Sequence, residues 1–102
     1  MSKKIRTEAV DYLFSAILSL KDKEECYTFF EDICTVNELR SMEQRFEVAK
    51  MLREDKVYTE IMQKTSASSA TISRVNRMLN YGTGYLGKVL DKMRAKEAKE
   101  EE

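Results

Sequence analysis

Ser68, Ser69, Thr71, Ser73, Arg74 and Arg77 gather short hydroxyl side chains and two guanidinium groups into one short stretch. Hydroxyls donate and accept hydrogen bonds, and arginine offers a planar fork of donors that fits phosphate oxygens and base edges. Such a set suits recognition of a duplex, provided one face of an element presents it. A helix from Ser69 to Leu79 does this. Ile72, Val75 and Leu79, at spacings of three and four, make its inner face, and Ser69, Thr71, Ser73, Arg74 and Arg77 are left outside. Ser68 or Ser69 is placed to cap the N-terminus, where small residues let a base edge or phosphate approach closely.

That helix needs a support. Val57 to Lys64 reads as a short helix and Thr65-Ser66-Ala67-Ser68 as a tight turn, so the whole stretch from Val57 to Leu79 is a helix-turn-helix. Lys64, just before the turn, suits a phosphate contact, although an ordinary surface lysine has the same appearance. Tyr58 and Thr59 open the first helix, where phosphate contact and half-burial of Tyr58 are equally well served. Ser69, Thr71 and Ser73 could be capping and solvated residues, and Arg74 could pair with a carboxylate of the preceding helix. Their clustering opposite Ile72 and Val75 favours contact with DNA.

Charge sharpens this. The chain carries 18 basic and 18 acidic residues, a balance that argues against a nucleic-acid partner when taken whole. Residues 61–90, however, contain Lys64, Arg74, Arg77 and Lys88 and no acid. An acid-free stretch in an otherwise acidic chain is what a surface facing polyphosphate requires, because each carboxylate there would repel the backbone.

At 102 residues the chain has the length of one domain, small enough that a dimer interface could supply much of its core. It has no proline, and glycine occurs only at 82, 84 and 87, so the fold class is all-α. No apolar run approaches the roughly 18 residues of a membrane span, and the start at Met1-Ser2-Lys3-Lys4 lacks a cleavage site, which points to the cytoplasm. Cys26 and Cys34, eight apart, cannot bridge within one helix and have no histidine nearby for a metal, so they are expected to be buried and inert. No histidine, no glycine elbow and scattered carboxylates speak against an enzyme.

The remaining elements come in order. A first helix from about Ile5 to Leu20 carries the wide apolar stripe Val10, Leu13, Phe14, Ile17, Leu18 and Leu20. Asp22 and Glu25 look like an N-cap and its reciprocal partner for a second helix, Lys23 to Cys34, whose Cys26, Phe29, Phe30 and Ile33 are core. Thr35 and Glu38 form another capping box, opening a third helix from Val36 to Arg53 with Leu39, Met42, Phe46, Ala49, Met51 and Leu52 on its apolar side. Asn80 or Gly82 is expected to end the motif's second helix in a left-handed cap, with Tyr81 and Tyr85 as packing residues. A last helix from about Leu86 to Met93 runs on into a tail, residues 95–102, that is expected to fray.

Ala70-Thr71-Ile72-Ser73-Arg74, together with Asn76-Arg77-Met78-Leu79-Asn80-Tyr81-Gly82, resembles the Trp repressor superfamily, in particular its YerC/YecD-type branch of small bacterial regulators. The similarity covers most of the chain and is most distinctive from Leu39 to Tyr85. It implies about six helices in an intertwined homodimer whose two heads bind a near-palindromic operator on double-stranded DNA. The wide stripe on the first helix fits, since intertwining supplies a second surface to bury it. The family's operator-reading role falls on Ser69, Ala70, Thr71 and Ser73, with Arg74 and Arg77 nearby. The family also holds an amino-acid corepressor between two arginines. Arg74 matches one; the other is Arg45 if a one-residue gap is admitted, while the ungapped position is Gln44. Val75 stands where the family has a glycine that makes room for the indole ring, and its branched side chain should crowd a planar ligand, which argues against tryptophan. Ser66 replaces the glycine common in the turn of such motifs.

The expectation is thus a dimeric, sequence-specific DNA-binding regulator, most simply a repressor, with a small-molecule effector compatible but not required. A rival is a dimeric adaptor that keeps the fold to dock a protein.

Overall fold

The computed structural model describes residues 5–101, so the first four residues of the signal-like start and the last residue of the tail lie outside the described residues. Among the described residues there are six helices and no strand: α1 (Glu8–Leu18), α2 (Lys23–Ile33), α3 (Val36–Arg53), α4 (Tyr58–Thr65), α5 (Ser69–Tyr81) and α6 (Tyr85–Glu100). None of them is long and apolar enough to cross a membrane. The chain divides into two compact units, Met1–Leu39 and Arg40–Glu102.

In the first unit local hydrogen bonds set the helix ends. The Thr7 hydroxyl accepts from the Val10 amide and starts α1 later than the apolar pattern alone suggests. Asp22 accepts from the Glu25 amide at 2.9 Å, as a capping box requires, but the Glu25 carboxylate reaches back to the Lys21 amide rather than to that of Asp22. At the head of α3 both reciprocal bonds form: Glu38 N–H donates to Thr35 Oγ1 at 3.1 Å and Thr35 N–H donates to Glu38 Oε1 at 2.8 Å. The Thr35 amide first, and the Thr35 hydroxyl after it, hold the Glu38 carboxyl below its ordinary pKa.

This unit has no buried residue among those described. Val10, Leu13, Ala16, Ile17 and Leu20 are half-buried, whereas Tyr12 is 81% and Leu18 85% exposed. Phe29 and Phe30 meet edge to face, with centroids 5.3 Å apart, yet they too are only half-buried. The expected burial of both thiols is therefore corrected: Cys26 is exposed on a helix with no buried position, and Cys34 is half-buried at its C-terminal cap.

The second unit closes a core. Val48, Ala49 and Met51 of α3, Ile61 of α4, Ala67 of the turn, Ile72, Val75 and Leu79 of α5 and Leu90 of α6 are all buried, with Leu52, Met78 and Leu86 against them. The sequence pattern for α3 is corrected at one end and completed at the other. Leu39, Met42 and Phe46 are exposed, and Val48, absent from the expected apolar side, is fully buried. Arg53 of α3 grips Asp91 of α6 with two bonds, Nε to Oδ1 at 3.0 Å and Nη2 to Oδ2 at 2.7 Å. The guanidinium holds the Asp91 carboxyl below its ordinary pKa.

The link from α5 to α6 differs from expectation. Asn80 and Tyr81 stay helical, and Gly82 ends α5 at φ −83°, outside the left-handed region. Glycine is still needed there, because a Cβ at Gly82 would overlap the Met78 carbonyl oxygen. The left-handed residue is Gly84, at φ 86°, which starts α6. Tyr81, 85% exposed, and Tyr85, 60% exposed, do not pack into the core. Helix α6 continues to Glu100, through most of the stretch expected to fray.

Candidate nucleic-acid interface

The interface is built on the core of the second unit. Ile61 projects inward from α4 and Ile72, Val75 and Leu79 from α5, which fixes which side of each helix turns to solvent. Between them the chain reverses in three residues. Ser66 takes φ 61°, the left-handed conformation for which such turns usually use glycine, and its amide closes α4 by donating to the Met62 carbonyl at 3.0 Å. A serine there carries a backbone cost of order 1 kcal/mol, which the surrounding bonds must hold in place. Thr65 contributes to this: its hydroxyl donates to the Ile61 carbonyl at 2.7 Å and accepts from the Ala67 amide at 3.2 Å. Ala67, 4% exposed, then plugs the turn into the core.

Ser68 caps α5. Its Oγ accepts from the Thr71 amide at 3.1 Å and donates to Thr71 Oγ1, also at 3.1 Å, so the Thr71 hydroxyl proton is left free to point outward. Among the described residues no other side chain caps the first-turn amides of α5, which present a positive helix end. There is no acid in that turn.

Of the residues singled out from the sequence, Ser68 at the cap and Ser69, Ala70, Ser73, Arg74 and Arg77 on the solvent side of α5 are exposed, and Thr71, at the border with the buried face, is half-buried. Neither Arg74 nor Arg77 forms an ion pair among the described residues, whereas Lys64 pairs with Glu60 at 3.3 Å. Glu60 is the last acid before the acid-free stretch, so part of the local positive charge is already compensated. Arg45 is exposed and donates from Nη1 to Ser41 Oγ at 3.0 Å. The α3 side chain that hydrogen-bonds to the motif is its neighbour Gln44, whose Nε2 donates to the Thr65 carbonyl at 3.1 Å. Val75 is 1% exposed and its branches fill core space beside Ile72. Among the described residues a cavity of about 160 Å³ opens between α3 and α6, floored by Phe46, Leu90 and Met93, and another lies at the start of α1; neither is lined by Arg45 or Arg74.

Sequence reasoning gives Gln44 only as an alternative to Arg45 and assigns it no contact. Amphipathic spacing could have found it, because Gln44 lies four residues before Val48 and seven before Met51, on the buried side of α3.

A capped helix with an acid-free, hydroxyl- and arginine-bearing edge, carried on a turn and a supporting helix, defines a helix-turn-helix protein. The Trp repressor protein family profile matches residues 8–94, and the chain belongs to that family of DNA-binding regulators. The chain is 54% identical over 94 residues to the uncharacterized protein YerC of Bacillus subtilis (strain 168), covering 92% of this chain and 90% of that protein. Two solved structures superpose with a TM-score of 0.86. One is a TrpR-like protein from Eubacterium eligens ATCC 27750, 60% identical, covering 88% of this chain and 93% of its own. The other, 49% identical and covering 91% of this chain and 96% of its own, is a provisional Trp repressor from Staphylococcus aureus.

Proposed function

We propose that this protein is a homodimeric, sequence-specific transcription regulator, a cytoplasmic repressor that reads a near-palindromic operator in double-stranded DNA. The observation that carries this is the N-terminal edge of α5: exposed, free of acids, capped by Ser68, and held on a buried core by Ile72 and Val75. Each head inserts Ser69 to Arg74 into a major groove, with half-sites about one helical turn apart. Ser69, Thr71 and Ser73 face base edges, Ala70 allows close approach, and Arg74, Arg77 and Lys64, once released from Glu60, contact phosphates. No step of this requires a catalytic group.

The dimer is supported by the first unit. Tyr12, Phe14, Leu18 and Ile33 are exposed apolar side chains on helices with no buried residue, and a second copy is the surface that would cover them. A small-molecule effector between Arg45 and Arg74 is compatible with this reading, and Val75, standing where the family has a glycine, disfavours tryptophan.

Selection of binding sites from random duplexes with the purified protein, alongside sedimentation analysis of its mass, tests the proposal. Enrichment of a near-palindrome by a dimer supports it; a stable dimer that enriches nothing favours docking of a protein. The pairing of Lys64 with Glu60 is the observation on that side, since it reduces the charge of the head. A salt titration separates the two, because DNA affinity falls steeply with salt and an apolar protein interface barely responds.

A further inference from the structure

Gln44 and Thr65 stand 21 positions apart in sequence, and the bond between the Gln44 amide and the Thr65 carbonyl is 3.1 Å long. Because the acceptor is a carbonyl, the Gln44 atom facing it must be the nitrogen. Thr65 is the last residue of α4, where carbonyls have run out of intrahelical donors, so this bond satisfies a group that the helix itself cannot. Among the described residues it is the one hydrogen bond that joins α3 to α4 or to the turn.

The bond lies close to the start of α5. Only Ser66, Ala67 and Ser68 separate Thr65 from Ser69, the first residue of the reading helix. Ser66 is held left-handed, Ala67 is buried and Ser68 is engaged with Thr71, so little slack remains between the Thr65 carbonyl and the α5 N-terminus. The apolar contacts of Ile61, Ala67 and Ile72 set how deep the motif sits, but burial is non-directional. A hydrogen bond adds direction.

Building on the DNA reading above, we infer that Gln44 is a positioning residue for recognition: it orients the end of α4 and so the edge of α5, and specific DNA binding needs no small-molecule effector. The reading edge is set by the chain's own bonds. Removing the donor leaves the contacts to DNA intact and lets the edge turn, which lowers preference for the right sequence more than affinity for any sequence.

The test uses the full chain, freed of small molecules, on the duplex it selects and on a scrambled duplex of equal length. Gln44→Met removes the donor at similar length, and Gln44→Glu sets a carboxylate against the carbonyl. Both should lower the ratio of selected to scrambled affinity about tenfold, the size expected for one lost hydrogen bond, while Gln44→Met keeps the parent's scrambled affinity and salt slope. Gln44→Arg places Nε at the same distance along the side chain as the Gln44 nitrogen, so it should hold the parent's ratio. Unchanged ratios for Gln44→Met and Gln44→Glu overturn the inference, as does loss of the ratio in a folded Gln44→Arg should the other two fail to fold. A parent that gains its preference only on addition of a cell-extract filtrate overturns it while leaving the DNA reading intact. A parent that prefers no duplex under either condition overturns the DNA reading itself.

Discussion

The two units of this chain treat their apolar side chains in opposite ways. The second buries Val48, Ile61, Ile72 and Val75 almost completely, and α3, α4, α5 and α6 all contribute. The first is as rich in large apolar residues, with Leu13, Phe14, Ile17, Leu18, Phe29 and Phe30, yet buries none of them. On the proposed function this difference is a division of labour: a head that must offer a rigid edge carries its own core, whereas helices that leave an apolar face uncovered are suited to build the core of an assembly.

Matched substitutions break or sharpen that contrast. Ile72→Ala, in the closed core, should cost about 2–5 kcal/mol, read as a shift in the denaturation midpoint at any protein concentration. Leu18→Ala offers the decisive comparison. If Leu18 stays as exposed as it is within the chain, 85%, truncation should be nearly silent. If a second copy covers it, the change should cost about 1.5–3 kcal/mol, and the midpoint of both parent and variant should rise with protein concentration because folding is then coupled to association. A concentration-independent parent with a silent Leu18→Ala would remove the support for the dimer.

The same contrast explains what can be read without a structure. The motif is visible because its constraints are local: Ile72, Val75 and Leu79 repeat at helical spacing, Ser68 sits at a cap, and Asp22 and Thr35 announce helix starts three residues ahead of a glutamate. All are found as expected except that Glu25 bonds to Lys21. What fails is inference from hydrophobicity to burial. Cys26, Ile33, Leu39, Met42 and Phe46 are apolar at helical spacing, and spacing reports which side of a helix is greasy without reporting whether this chain covers it. Tyr81 and Tyr85 fail likewise. Gly82 is recognisable as a helix end but its geometry is not, since the close approach of the Met78 carbonyl and a left-handed turn both select glycine. Gln44 is the hardest: its spacing from Val48 and Met51 places it on the inner side of α3, but its partner lies 21 positions away and no local pattern names it.

Within the head, the proposed interface divides into reading and holding. Thr71 is half-buried, its amide and oxygen engaged by Ser68 and its hydroxyl proton free. Thr71→Ala should lower discrimination between the operator and single-base variants by about 1–3 kcal/mol, measured by competition between duplexes. Arg77 lies further along α5, exposed and without an ion pair among the described residues. Arg77→Ala should weaken all duplexes alike and reduce the slope of log affinity against log salt by about one. An Arg77→Ala variant that changes sequence preference but not the salt slope would exchange the two roles.

The smallest effect expected lies in the acid range, and it bears on both units. Asp91 in the second unit and Glu38 in the first are held below their ordinary pKa values, Asp91 by the Arg53 guanidinium and Glu38 by the amide and hydroxyl of Thr35. A carboxyl whose folded pKa is depressed binds its proton more readily when unfolded. Its contribution is therefore complete above the unfolded value, near 4, and is lost as the pH falls through the folded value. Because both groups lie at the surface, water screens them and each contribution is small. The pairing of Arg53 with Asp91 is the better probe, being bidentate and joining α3 to α6 at the surface. Asp91→Asn should lower the melting temperature slightly at neutral pH and leave it unchanged relative to the parent at pH below the folded value, where the parent's carboxylate is protonated too. A difference that persists undiminished in acid would mean that Asp91 holds α6 by hydrogen bonding that survives its neutralisation, and that the closed core of the second unit depends less on charge than the geometry of the pair indicates.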